Sequence, residues 1–210
     1  ERSEGYKESD PMGGHDPYSS SKGCAELVSS AYRRSFLQEQ GVELASVRAG
    51  NVIGGGDWAD DRLIPDILRS FEKGRPVIIR NPKATRPWQH VLEPLSGYLI
   101  LAQRLYENQN KYAEGWNFGP NEQDVKPVDW ILDKMISKWP NSSWKLDSNV
   151  NPHEANFLKL DISKVKSKLG WEPTWGLNNT LEKIIVWHRA WLNQEDMQTK
   201  CFAEIKDYMK

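Results

Sequence analysis

Apolar and polar positions along the chain predict alternating helices and short strands. Residues 1–16 are polar and Gly-rich and read as a loop. Asp16-Pro17 then opens a helix, with Asp at the N-cap and Pro in the first turn. Ala25, Val28, Ala31, Tyr32 and Phe36 fall near helical spacing and carry the helix to about 39, where Gly41 ends it. A short strand is expected over 42–47, and the Gly-rich stretch 49–57 is expected to be loop. Residues 63–71 read as a helix that follows Asp60 and Asp61, and 76–79 as a strand. Residues 81–90 read as loop, and 91–106 as a helix with Leu95, Leu99, Ala102 and Leu105 on one face. Further on, 115–119 is a strand, 127–138 a helix and 144–146 an edge strand. Residues 162–169 form a short helix closed by Gly170. An amphipathic helix over 177–192 carries Leu181, Ile184, Ile185, Trp187 and Trp191, and the tail beyond 194 is helical but weakly fixed.

This alternation is α/β. The strands are few, and their order is that of the later part of a Rossmann-type doubly wound parallel sheet joined to a smaller, mainly helical region. Composition narrows the picture. Apolar residues are 38% of 210, with 10 Trp, 7 Tyr and 5 Phe to build a core, which excludes wholesale disorder. No apolar run approaches 18 residues, and no basic stretch leads into an apolar one, so neither a membrane span nor a signal peptide is expected. Lys+Arg 28 against Asp+Glu 29 gives no charge excess of the kind that binds nucleic acid or an anionic membrane. Cys24 and Cys201 are far apart in the chain, which suits a reducing cytoplasm better than a disulfide framework. His15, His90, His153 and His188 show no metal-ligand spacing, so no metal is expected.

The sharpest chemical signal is Tyr18-Ser19-Ser20-Ser21-Lys22. Tyr and Lys four apart share a helix face. A phenol with an ordinary pKa near ~10 is a poor base at neutral pH. A cation held beside a phenol stabilises the phenolate, and such a pair can take a proton from a sugar hydroxyl. The Lys164–Lys168 run reads as a solvated helix face, and most of the tryptophans as packing residues, with Trp58 and Trp88 in candidate site loops. Arg48 reads as support for its strand.

Several segments together carry a resemblance. They are Asp16–Lys22, Ser46–Gly54, Gly54-Gly55-Gly56-Asp57-Trp58, Asp61–Asp66, Arg86-Pro87-Trp88-Gln89-His90-Val91, His153-Glu154-Ala155 with Leu158–Asp161, and Leu169-Gly170-Trp171-Glu172-Pro173. The chain resembles the extended short-chain dehydrogenase/reductase family, whose members act on nucleotide sugars. The resemblance implies a lyase that uses NAD to dehydrate a nucleotide sugar, CDP-D-glucose, to its 4-keto-6-deoxy form in the cytoplasm. It implies Tyr18 as catalytic base, with Lys22 holding the cofactor ribose and tuning Tyr18. Tyr18, Lys22 and Val52 would contact NAD, and Asn51, Arg62, Leu63, Val77 and Arg86 the substrate. Of these, Arg86 and Arg62 match positions near the diphosphate, where a planar guanidinium fork suits phosphate oxygens, and the 76–78 segment would meet the base through its backbone. The resemblance also implies a homo-oligomer through the 17–39 helix. Residues 1–60 would be the remainder of the NAD-binding domain, and 61–210 mainly the substrate-binding region, with segments returning to the first.

The sequence also departs from the family pattern. No Gly-rich dinucleotide turn precedes Tyr18, and no Ser/Thr-Asp-Lys triplet is present. The resemblance therefore implies the C-terminal part of a longer enzyme, inactive by itself. Glu1, Glu4, Glu8 and Asp10 read as solvated loop residues rather than substitutes for the triplet. Two other readings stay open: an epimerase or dehydratase of another nucleotide sugar, and a non-catalytic nucleotide-sugar-binding fragment.

Overall fold

In the computed structural model, residues 4–14, 16–149 and 156–210 are described. Glu1, His15 and the His153-Glu154-Ala155 motif lie outside them. Helix α1 spans Pro17–Tyr32 and continues through a π-helical turn, Arg33–Leu37, and a short 3₁₀ turn, Gln38–Gln40. Gly41 ends it at φ 68°, a left-handed conformation that suits glycine. Strand β1 (Ser46–Ala49) follows, starting later than the pattern predicts, because pairing begins only at Ser46 opposite Gly115. The 49–57 stretch is not all loop: β2 (Asn51–Ile53) lies within it. Then come α2 (Leu63–Glu72), β3 (Val77–Ile79) and β4 (Thr85–His90).

Strand β4 is a further departure from the sequence reading, since 81–90 was expected to be loop. Pro87 explains why the pattern hides it. Proline cannot donate to a sheet ladder. Here it sits where the strand changes partners. Residues 88–90 pair in parallel with β2, whereas 85–87 pair antiparallel with β6 (Val125–Pro127).

Helix α3 spans Leu92–Asn108 and leads to β5 (Gly115–Phe118), which pairs in parallel with β1. Of the face that the spacing marks on α3, Leu95 and Leu99 point outward, while Leu105 is partly buried. Leu95 is 46% and Leu99 74% exposed, whereas Glu93, Pro94, Gly97 and Leu101 are buried. The inner face sets Glu93 and Gly97 beside Leu101, because the helix lies close on β5. A Cβ on Gly97 would come within 2.2 Å of the Phe118 ring. After β6 come α4 (Val128–Lys138), β7 (Trp144–Leu146, parallel to β3), α5 (Ser163–Leu169), α6 (Leu177–Leu192) and α7 (Met197–Tyr208).

Two apolar cores form. The larger joins Ile53, α2, β3, α4 and α6, with Ile67, Ile131, Leu132, Met135 and Ile184 at 0% exposure. The other joins Leu101, Trp116, Phe118, Val165, Leu169 and Trp171 around β5. The lysine run of α5 is not simply solvated. Lys164 donates to the Gly115 carbonyl (2.6 Å) and stands 4.4 Å from the Trp116 ring centroid, and Lys166 donates to the Asn121 side chain (2.8 Å). Nor is the tail weakly fixed. The Tyr208 hydroxyl donates to the buried Glu93 carboxylate (2.9 Å), which also accepts the backbone N–H groups of Thr174 (2.9 Å) and Trp175 (2.7 Å). Burial pushes the Tyr208 phenol pKa up. Glu204 of α7 lies 3.0 Å from fully buried His90. Cys24 and Cys201 are free thiols. No helix among the described residues is long and apolar enough to cross a membrane.

Candidate functional site

A cleft of about 720 Å³ opens where the C-terminal ends of β1 and β2 meet the start of α2 and the end of β3. Ligands in open α/β sheets gather beyond the carboxyl ends of the strands. Tyr18, Asn51, Val52, Arg62, Leu63 and Arg86 all line it. Residues separated by up to 68 positions are thus brought to one cavity.

Tyr18 is aimed by its helix start. The Asp16 side chain caps α1 by accepting the Ser19 amide (2.9 Å), and it also accepts the Ser19 hydroxyl (2.6 Å). These bonds, the hydroxyl's first, hold the Asp16 carboxyl below the usual carboxylate range. The Tyr18 side chain is left 72% exposed at the cleft mouth. The Lys22 ammonium stands 5.5 Å from the Tyr18 ring centroid, one helical turn on, and outside the cleft lining. Among the described residues neither the Tyr18 hydroxyl nor the Lys22 ammonium has a hydrogen-bond or ion-pair partner.

Asn51 and Val52 reach the cleft because they form β2. Asn51 stands opposite Trp88 in the parallel ladder. Gly50, between β1 and β2, lets the chain pass close to β4: a Cβ there would meet the Pro87 carbonyl oxygen at 2.3 Å. Arg86 projects from β4 and is half-buried, donating to the Thr85 carbonyl (3.0 Å). Arg62 is exposed at the N-cap of α2. Val77 stands apart. It is 1% exposed and packed in the larger core, while its neighbours Ile78 and Ile79 line the cleft. Trp88 is no loop residue: it is buried in β4, and its indole N–H donates to the Lys126 carbonyl (3.0 Å).

The sequence reading missed Arg80, a third arginine on the cleft, exposed and without a partner among the described residues. Its signal was its place directly after β3, at a strand's carboxyl end. Asp57 and Asp61 join it on the lining. The acidic residues near the N-terminus do structural work. Glu8 accepts the Asn117 amide (2.9 Å), and Asp10 accepts the Lys7 amide (2.6 Å). Arg48 supports its strand: its Nε donates to Glu26 of α1 at 2.9 Å. Among the described residues no group of three or more His, Cys, Asp or Glu is arranged to hold a metal ion.

The chain is 62% identical over 98% of its length to a CDP-glucose 4,6-dehydratase of Salmonella typhimurium, and spans 59% of that relative. It is 26% identical over 89% of its length to UDP-glucuronic acid decarboxylase 1 of Arabidopsis thaliana, and spans 40% of it. Its fold matches that of dTDP-glucose 4,6-dehydratase from Bacillus anthracis, solved in complex with NAD. There the TM-score is 0.72 at 18% identity, over 90% of this chain and 57% of the other. A dTDP-glucose 4,6-dehydratase from Streptomyces venezuelae, with NAD and TYD bound, matches with a TM-score of 0.72 at 20% identity, over 93% and 57%. These likenesses identify a Rossmann-type α/β fold. Residues 1–184, which include every residue lining the cleft, match the model of one family, and the chain belongs to it: the GDP-mannose 4,6 dehydratase family.

Proposed function

We propose that this chain is part of an NAD-dependent nucleotide-sugar 4,6-dehydratase whose substrate is CDP-D-glucose. The observation that carries this is the single cleft lined by Tyr18, Asn51, Val52, Arg62, Leu63 and Arg86. The 62% identity to a CDP-glucose 4,6-dehydratase favours cytidine over other bases.

In this reading Arg62 and Arg86 bind the diphosphate, each guanidinium forking two oxygens. Asn51 orients the sugar, Leu63 covers it, and Val77 supports the β3 backbone along the base. Tyr18 accepts the proton of the C4 hydroxyl. Lys22 stabilises the phenolate form of Tyr18 that accepts this proton, and holds the cofactor ribose. The unpartnered Tyr18 hydroxyl and Lys22 ammonium, with Val52 beside Asn51, fit the ribose and nicotinamide end of NAD. When bound, NAD supplies the hydride acceptor for oxidation at C4. Residues 1–60 belong to the dinucleotide-binding side and 61–210 mainly to the substrate side. The second core, which packs α3, β5 and α5 beside β1, supports a return of those segments to the first. The exposed apolar side chains of α1 suit a homo-oligomer in a cytoplasmic enzyme.

The test is incubation of the protein, at its natural length, with NAD and CDP-glucose, followed by mass spectrometry and NMR. A product lighter by one water with a C4 carbonyl is expected. Recovery of unchanged CDP-glucose overturns the activity, and equal turnover of dTDP- or UDP-glucose overturns the base preference.

A further inference from the structure

One wall of the cleft is a loop whose shape is set from outside the cleft. Residues 54–62 run from β2 to α2 and deliver Asp57, Asp61 and Arg62 to the lining. Arg69, on the second turn of α2, reaches back along this loop. Its Nη1 donates to the Trp58 carbonyl (3.0 Å) and its Nη2 to the Ala59 carbonyl (3.2 Å). The same guanidinium pairs with Asp66 at 2.5 Å and Asp60 at 3.4 Å. A guanidinium is a rigid planar fork, so two consecutive carbonyls bound to it are fixed relative to α2.

The other side of the loop is held by α6. The Trp58 ring centroid lies 4.4 Å from Trp191, 5.7 Å from His188 and 6.3 Å from Trp187. Contacts of this kind add to the stabilisation from area burial alone. Gly55 packs so closely on Trp187 that a Cβ would meet the ring at 2.3 Å. Asp61 has φ 58°, a left-handed conformation that Asp adopts more readily than most side chains. It directly precedes Arg62. Arg69 and Trp58 themselves stand outside the cleft lining.

We propose that Arg69 and Trp58 are positioning residues that lock the 54–62 loop so that Arg62 and Asp61 are preset for a nucleoside diphosphate. This rests on the nucleotide-sugar reading of the cleft. A preset wall serves bound substrate and transition state alike, so loosening it weakens binding more than it slows turnover.

The test uses the protein at its natural length. Arg69→Met keeps the side-chain stem and removes the fork, while Arg69→Lys keeps only the charge. With no ligand present, both variants should exchange the amide hydrogens of 57–61 about tenfold faster, with α2 amides unchanged. The Kd for CDP should rise about tenfold in both, as the loss of charge-assisted bonds predicts. Trp58→Ala should act in the same direction, and Trp58→Phe should restore most of the loss. With CDP-glucose as substrate, KM should rise while kcat changes less than about threefold. Unchanged loop exchange overturns the proposal. So does unchanged CDP affinity in a loosened loop, or a loss of affinity that merely follows Tm across the four variants. Absence of CDP binding by the unsubstituted protein overturns the nucleotide-sugar reading instead, and the loop exchange still decides whether the clamp exists.

Discussion

Helices α1 and α6 are each 16 residues long and live in opposite surroundings. No residue of α1 is buried among the described residues, whereas α6 buries Leu177, Leu181, Ile184, Ile185, Trp187 and Ala190. Leu27 at 63%, Val28 at 56% and Tyr32 at 56% exposure show that α1 is not short of apolar side chains. Polar ties fasten α1 instead. Asp16 caps it, Glu26 pairs with Arg48 of β1, and Arg33 donates to the Leu44 carbonyl (3.3 Å). The helix that carries Tyr18 and Lys22 therefore contributes little burial, while α6 anchors the 54–62 wall of the cleft. Loss of chemistry and loss of stability should separate along this line.

The sharpest way to break the comparison is Tyr18→Phe in the protein at its natural length. It removes only the hydroxyl, and kcat should fall by about 10²–10⁴, the usual worth of a positioned acid or base. Tm should hardly move, because Tyr18 is 72% exposed. Turnover within a few-fold of normal would remove Tyr18 from the chemistry. On the other side, Ile184→Ala on α6 opens a cavity at a fully buried site and should cost about 2–5 kcal/mol in denaturant unfolding. Leu27→Ala on α1 should cost well under about 1 kcal/mol in the 210-residue chain. Equal costs at the two sites would erase the contrast. Arg86→Ala sharpens the comparison from the binding side: if Arg86 holds the diphosphate as proposed, KM should rise more than kcat falls, because such a contact would be made in both states. A fall confined to kcat would move Arg86 to the reacting sugar.

The smallest expected effect concerns acid. The Arg48 guanidinium, followed by the Ser46 hydroxyl, holds the Glu26 carboxyl below its usual range. A lowered folded-state pKa gives stability that is fully present above the ordinary carboxylate pKa and is lost as pH falls through the lower value. Acid unfolding of the unsubstituted chain should therefore be steeper than that of Glu26→Gln. Superimposable acid profiles would show that this pair does not tie α1 to β1.

Legibility in the sequence followed how strongly each residue's own chemistry constrains its place. Gly41 and Gly170 end their helices with φ 68° and 69°, as their positions in the pattern predict. The Tyr18–Lys22 spacing and the arginine contexts drew attention because few other residue types suit base and phosphate chemistry, and the fold brings Tyr18, Arg62 and Arg86 to one cleft. Strand β4 was not readable, because Pro87 masks a ladder that changes partners beside it. The inner face of α3 was hidden for a related reason. Close packing favoured Gly97 and a bonded Glu93 over the leucines that periodicity marks. Arg69 and Arg80 carry no local motif, and only the folded chain brings them to the loop and the cleft.

Two glycines near the cleft differ in what would permit their replacement. A side chain at Gly50 meets a backbone carbonyl, that of Pro87, which no substitution removes. A side chain at Gly55 meets the ring of Trp187, which a smaller residue at that position would vacate. Sequence drift is therefore closed at Gly50 and conditional at Gly55. Positions 55 and 187 should change as a pair, so that Gly55→Ala, damaging alone, adds little further damage beside Trp187→Ala, which removes the Cγ that its methyl would meet.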